Sequence, residues 1–174
     1  METEAGRVSG LEEQAVHVFR GIRYGASTGG TRRFRPAVPP TQWPGVAEAH
    51  HHGPACPPTF TDEDRAFFPT SELWLTYAGA RQAAGISEDC LWLSVWTDGI
   101  GGPPRPVVVW LHGGGFSWGS AASPLTEAHG LASEGVVVVA VNHRLGILGA
   151  LRLDEVAGAE WDGSGLVGLL DIRL

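Results

Sequence analysis

Residues 107–116 read Val107-Val108-Val109-Trp110-Leu111-His112-Gly113-Gly114-Gly115-Phe116. The first five are apolar without a break and rich in β-branched side chains, which predicts a strand buried on both faces. The three glycines that follow end the strand and open a turn whose backbone carries no Cβ. Working outward, residues 136–141 form a second buried strand, set off by Gly135, and residues 126–133 between the two are a helix candidate. Residues 91–96 form a third apolar strand, and residues 97–106 are a Gly/Pro turn region. Buried strands alternating with helices indicate an α/β protein whose sheet is covered on both faces.

The N-terminal half is less regular. Residues 14–24 alternate loosely and read as short strands around Gly21. Residues 25–60 hold Pro36, Pro39, Pro40, Pro44, Pro54, Pro57 and Pro58 and form a long irregular excursion. Loops of that length in compact domains are functional or are held down by something. Residues 73–84 read as a helix. Residues 165–174 begin a helical pattern and stop without a cap.

The chain has 174 residues, the size of one domain with its own core. Its formal net charge is -7, and all 12 cationic residues are arginine, with no run longer than Arg32-Arg33. An acidic chain repels phosphate backbones, so nucleic-acid binding is not expected. No apolar run approaches the ~20 residues that span a bilayer. The acidic start, Met1-Glu2-Thr3-Glu4, lacks the apolar core of a secretory signal. The expectation is therefore a cytoplasmic protein without a membrane segment. Two cysteines, Cys56 and Cys90, do not make a disulfide scaffold. His50-His51-His52, with Cys56 nearby, invite a metal reading, but adjacent residues seldom converge on one ion. No metal and no other cofactor is expected. Among the tryptophans, Trp118 beside the glycines is expected to line a pocket. Trp43, Trp74, Trp92, Trp96, Trp110 and Trp161 read as core or rim aromatics.

The glycine turn carries the strongest chemical signal. Successive backbone N–H groups with no side chain in the way can point at an incoming anion. An acyl-transfer enzyme needs such donors about 3 Å from its developing oxyanion. Two residues on, Gly115-Phe116-Ser117-Trp118-Gly119 matches the G-x-S-x-G of a nucleophile elbow. A true elbow follows its strand directly, and here His112-Gly113-Gly114 intervene. Triad partners for Ser117 would have to come from His129, His143, Asp154, Asp162 and Asp171. Ser117 therefore reads as a loop serine.

Several segments together resemble the type-B carboxylesterase family, the carboxylesterase/cholinesterase branch of the α/β-hydrolases. Arg33-Phe34-Arg35-Pro36, followed by Trp43, resembles its early R-F-x-P…W segment. Ser87-Glu88-Asp89-Cys90-Leu91-Trp92-Leu93-Ser94-Val95 resembles its S-E-D-C-L-x-L-N-V signature. His112 to Phe116 resembles its H-G-G-G-F oxyanion loop. Val141-Asn142-His143-Arg144-Leu145-Gly146, with Gly149 close behind, resembles V-N-Y-R-x-G-x-x-G. Gly168-Leu169-Leu170-Asp171 resembles the G-L-x-D that opens the next helix. The five stand in the family's order. Two positions depart from it: Ser94 replaces the signature's Asn, and Leu166-Val167 stand where an Asn and a small residue are usual.

The resemblance implies the N-terminal part of an α/β-hydrolase fold over residues 1–174, an incomplete mixed sheet with flanking helices. It implies a small-molecule carboxylic ester as substrate and a serine nucleophile working through an acyl-enzyme. Gly114 and Gly115 would supply two oxyanion-hole N–H groups, with His112, Phe116 and Trp118 as pocket candidates. Cys56 and Cys90 would form a disulfide tying down the Pro-rich excursion, and Arg33 and Glu88 would be salt-bridge partners. Two free thiols are the alternative in a reducing cytosol.

In this family the nucleophile, acid and histidine follow in that order, and all three are expected beyond Leu174. The chain alone is therefore expected to be inactive. The family's sheet order places strand 107–111 beside the nucleophile strand. Without that neighbour it is expected to become an open, aggregation-prone edge. Rival readings are a non-catalytic, cholinesterase-like binding domain and a truncated product with no function. The intact 112–116 loop favours the enzyme, because a binding module has no need of those donors.

Overall fold

The computed structural model describes residues 1–59 and 84–174. The helix expected over residues 73–84 and the side chain of Trp74 lie outside the described residues. The described strands are β1 Arg7–Ser9, β2 Leu11–Glu13, β3 Val16–Arg23, β4 Val46–Glu48, β5 Trp92–Thr97, β6 Val107–Leu111 and β7 Val137–Val141. The described helices are α1 His129–Ser133, α2 Gly146–Ala150, α3 Asp154–Ala157 and α4 Val167–Asp171. Five strands form one mixed sheet in the order β2-β3-β5-β7-β6, antiparallel except for the parallel β6–β7 pair. The architecture is the α/β arrangement expected, a mixed sheet with flanking helices.

The N-terminal expectation needed correction in detail. Residues 16–23 make one strand, not short pieces, and its ladder to β5 slips at Gly21, between Arg20 and Ile22. Gly21 has φ +75, and a Cβ there would strike the His51 carbonyl. β2 joins β3 through a two-residue turn, Gln14-Ala15, with φ of 53 and 62. Both residues sit in the left-handed region that a tight hairpin demands. The Pro-rich excursion is also more ordered than it reads. β4 pairs in parallel with β1, Arg7 opposite Val46, and Ala55 bridges to Ile86.

Alternation along the strands splits the core between the two faces of the sheet. One face joins Val16, Val18, Trp96, Val138 and Ala140 to Ala128 and Ala132 around α1. The other joins Phe19, Ile22 and Val95 to Val8 and Ala49. A third cluster, Cys56, Cys90, Leu91 and Leu145, lies where the excursion meets the start of α2. The helices α2 and α4 pack so closely that the Cα of Gly168 lies 3.3 Å from where a Cβ on Gly149 would stand. Glycine at both positions permits this approach.

The burial expected for residues 107–111 is not found. β6 is the outer strand of the sheet, and all five of its residues are exposed, from 39% at Val108 to 59% at Val107. Its apolar run is that of a central strand, but among the described residues only β7 flanks it. This is the open edge that the resemblance implied.

Candidate active site

The glycine turn leaves the C-terminal end of β6 and folds back on itself. The N–H groups of Ser117 and Trp118 both donate to the Gly114 carbonyl, at 3.0 and 3.3 Å. Gly114 adopts φ +123, and a Cβ there would overlap the Trp118 carbonyl. Gly115 follows at φ +59 in open space. Among the described residues no acceptor meets the N–H of Gly114 or Gly115. Two adjacent donors at the end of a strand thus have no acceptor among the described residues, a geometry suited to an anionic oxygen.

The flanking residues are held by different means. His112 is half-buried, and its Nδ1 lies 3.0 Å from the Gly113 carbonyl oxygen. A carbonyl only accepts, so Nδ1 carries the proton and Nε2 keeps its lone pair in the neutral ring. The His112 ring stacks on that of His143, with centroids 5.0 Å apart and planes within 5°. His143 is buried, and its Nδ1 faces the Arg144 carbonyl at 3.0 Å. Burial pushes the His112 imidazole down to about 4, and the neighbouring His143 pushes in the same direction. Burial also lowers His143. Phe116 is 59% exposed at φ +57, with its ring 6.0 Å from His143. Trp118 is half-buried against Gly114.

Ser117 is not arranged as a nucleophile. Its Oγ donates to the Gly115 carbonyl at 3.3 Å. The residues after it enter a single 3-10 turn, Pro124–Thr126, rather than a helix. The strand–turn–helix of an elbow is not built here.

Behind the loop, Asn142 joins three segments. Its Oδ1 accepts from the Ala121 N–H at 2.7 Å and the Ser120 hydroxyl at 3.3 Å, and its Nδ2 donates to the Pro54 carbonyl at 3.1 Å. The Tyr24 hydroxyl donates to the Asn142 carbonyl at 2.5 Å. The next residue but one, Arg144, is buried with Asp171. Its Nη2 and Nε donate to the two carboxylate oxygens at 2.6 and 2.9 Å, its backbone N–H adds a third bond at 3.1 Å, and Nη1 caps the Arg35 carbonyl at 2.7 Å.

The Ser87–Cys90 segment spends each side chain on a separate tie. Ser87 Oγ accepts from the Asp89 N–H at 3.0 Å. Glu88 takes both Nε and Nη2 of Arg33, at 2.7 and 2.6 Å. Asp89 takes both Nη groups of Arg23, at 2.6 and 2.7 Å, and that guanidinium lies 4.0 Å over the Trp92 ring. Cys90 and Cys56 are both buried and carry free thiols. The two thiols interact, which lowers the Cys56 thiol and raises Cys90. The Leu145 N–H also reaches Cys56 Sγ, at 3.2 Å.

A sequence model of the carboxylesterase family matches residues 1–174. The chain belongs to the carboxylesterase family. It is 39% identical to a fumonisin B1 esterase of Sphingopyxis macrogoltabida over 98% of its own length and 29% of that protein's. It is 36% identical to a para-nitrobenzyl esterase of Bacillus subtilis over 95% of its length and 31% of that protein's. A crystal structure of a Geobacillus stearothermophilus carboxylesterase superposes with TM-score 0.81 at 36% identity, covering 98% of this chain and 31% of that one. This carboxylesterase-family chain thus spans about three-tenths of the length of the relatives it matches.

Other residues of this carboxylesterase-family chain that invite a role have structural partners. His50 Nε2 lies 3.3 Å from Ser9 Oγ, and His52 Nδ1 lies 3.1 Å from Ser94 Oγ, so the histidine triplet does not converge. Ser94, the departure from the family signature, is buried and satisfied by that contact. Among the described residues no three His, Cys, Asp or Glu side chains are placed to share a metal ion. No described helix is long and apolar enough to cross a membrane. The Arg144–Asp171 pair and His143 went unremarked as contacts in the sequence. Arg144 and Asp171 each sit in a separate motif, and spacing does not show that they meet.

Proposed function

We propose that this chain is the oxyanion-stabilising portion of a carboxylic-ester hydrolase, and that by itself it does not turn over esters. The observation that carries the reading is the pair of N–H groups on Gly114 and Gly115, without a partner among the described residues and set at the end of a strand in a family of esterases. When a nucleophile adds to an ester carbonyl, negative charge develops on the carbonyl oxygen. Each prealigned donor aimed at that oxygen contributes roughly 3–4 kcal/mol to the transition state. A third donor would come from the residue after the nucleophile. The nucleophile, the acid and the general base are assigned to sequence beyond Leu174, as family order implies. The substrate is a small-molecule carboxylic ester, bound without nucleic acid or a cofactor.

The test is an ester assay on the 174-residue chain with a short-chain chromogenic ester, beside its Ser117→Ala variant. The expected result is no turnover above the uncatalysed rate in either. Turnover that survives Ser117→Ala overturns the claim of inactivity. Turnover that Ser117→Ala abolishes replaces it with a compact triad built around Ser117.

A further inference from the structure

His143 stands where the family segment carries Tyr, and its ring lies flat against His112 at 5.0 Å. His112 in turn makes one polar contact that bears on the glycine turn. Its Nδ1–H donates to the carbonyl of Gly113 at 3.0 Å. That carbonyl and the N–H of Gly114 belong to the same planar peptide unit and point in opposite directions. Holding the Gly113 oxygen toward His112 therefore aims the Gly114 hydrogen away from it. Gly119 closes the arrangement from the other side, since a Cβ there would overlap both His112 Nδ1 and the Gly113 oxygen.

We infer that His143 is a positioning residue that makes the direction of the Gly114 N–H sensitive to pH. The inference rests on the reading of Gly114 as an oxyanion donor. It takes a stack of two imidazoles, each with its Nδ1–H tied to a backbone carbonyl, as the element that sets this donor. A tyrosine at position 143 could stack in the same place but would not change charge in the acidic range. With both rings neutral the stack is held. One proton on either ring leaves a cation against a neutral aromatic face, which is tolerated. A second proton puts two like charges at stacking distance, so the pair takes up its protons in two separated steps. The second step drives the rings apart and releases the Gly113 carbonyl. The groups facing His143 are Asp171, which favours its cation, the backbone of Arg144, whose guanidinium is neutralised by Asp171, and the rings of His112 and Phe116.

The test is imidazole and amide NMR on the full 174-residue chain, kept in solution by a fused soluble carrier. At neutral pH both histidines are expected as Nδ1–H tautomers. On acidification the Gly114 amide should hold its position through the first protonation of the pair and move with the second, the two steps being read from the ring signals of His112 and His143. His143→Phe should preserve the Gly114 shift at neutral pH, remove the movement that accompanies the second protonation, and raise the midpoint of His112, which has lost its like-charged neighbour. His143→Tyr serves the same purpose if the phenylalanine variant fails to fold. An Nε2–H tautomer on His112, or a Gly114 titration unchanged in whichever variant folds, overturns the inference. The readout is the geometry of the donor and not turnover, so it separates from the test of ester hydrolysis. A chain that binds and hydrolyses nothing would still show or fail to show the coupled titration.

Discussion

Arg144 and Asp171 bury a bidentate ion pair, 2% and 0% exposed, that clamps the segment after β7 to the last turn of α4. Each guanidinium nitrogen and each carboxylate oxygen of the pair makes at least one hydrogen bond, Nη1 of Arg144 reaching the Arg35 carbonyl. A buried pair of this kind is not a large net gain over apolar residues, but breaking it leaves a charge with no partner. Asp171→Asn is therefore expected to cost about 3–5 kcal/mol, or roughly 10 °C in Tm, read by thermal denaturation. A loss below about 1 kcal/mol would show that water reaches the guanidinium. Arg144→Met combined with Asp171→Leu should recover much of the loss.

The two donor glycines should differ in their tolerance of a methyl group. Gly114→Ala forces a side chain against the Trp118 carbonyl at φ +123, whereas Gly115→Ala meets nothing and costs only the left-handed backbone. The second change is expected to cost about 1–2 kcal/mol and the first distinctly more. Urea midpoints of the two variants give the comparison, and equal values would mean that the turn relaxes freely.

β6 should govern solubility. Its five exposed apolar residues form an uncharged edge whose outer backbone groups have no strand partner among the described residues. Val109→Lys, at a position 55% exposed, places a charge where a second chain would pair. Size-exclusion chromatography should show the wild type as aggregate and the variant shifted toward monomer. A monomeric wild type would refute the edge as the cause.

Acid should loosen the tie between α1 and the β2–β3 hairpin. The side chain of Glu127 bonds His52 and Arg20, which hold its carboxyl down at about 2. A carboxylate lowered on folding stabilises the protein above its unfolded value, near 4.3, and that contribution fades as pH falls toward 2. Glu127 is about one-third exposed, so screening limits the effect to about 1 kcal/mol or less. Glu127→Gln should flatten the acid limb of stability between pH 5 and roughly 2, measured by urea unfolding at each pH.

The thiols of Cys56 and Cys90 should react slowly with a thiol reagent until the chain unfolds, since both are buried. The resemblance implied a disulfide, and the two cysteines lie in one buried cluster where their thiols interact. Mild oxidant should therefore convert them to an intramolecular bridge and add about 3–4 kcal/mol by restricting the unfolded chain. Non-reducing mass spectrometry before and after oxidation, with urea midpoints, decides between bridge and free thiols.

Much of this was legible in the residues, and the failures share a cause. The strands at 107–111 and 137–141 are written as apolar runs, and the donor turn as three glycines. Burial of β6 was not legible, because an apolar run records what a strand prefers and not how many neighbours it has. The β2–β3 hairpin was missed because Gln14 and Ala15 occupy positive φ without a glycine or asparagine to announce it. Arg33 and Glu88 were named together through the family pattern. Arg23–Asp89 and Arg144–Asp171 were not, since contacts across long stretches of chain leave no periodic trace.

The order of strands in the sheet constrains how the chain can be made. β5 is central, and its neighbours are β3, where Val18 faces Trp96, and β7, where Val141 faces Leu93. Among the described strands only the β2–β3 hairpin closes locally. Synthesis runs at about 5–20 residues per second, so β3 waits seconds for β5, and β5 waits again for β7. During that interval the apolar face of Val16 and Val18 has no native cover. The nascent chain is therefore a natural client for chaperones from the time β3 emerges until Val141 has left the ribosome.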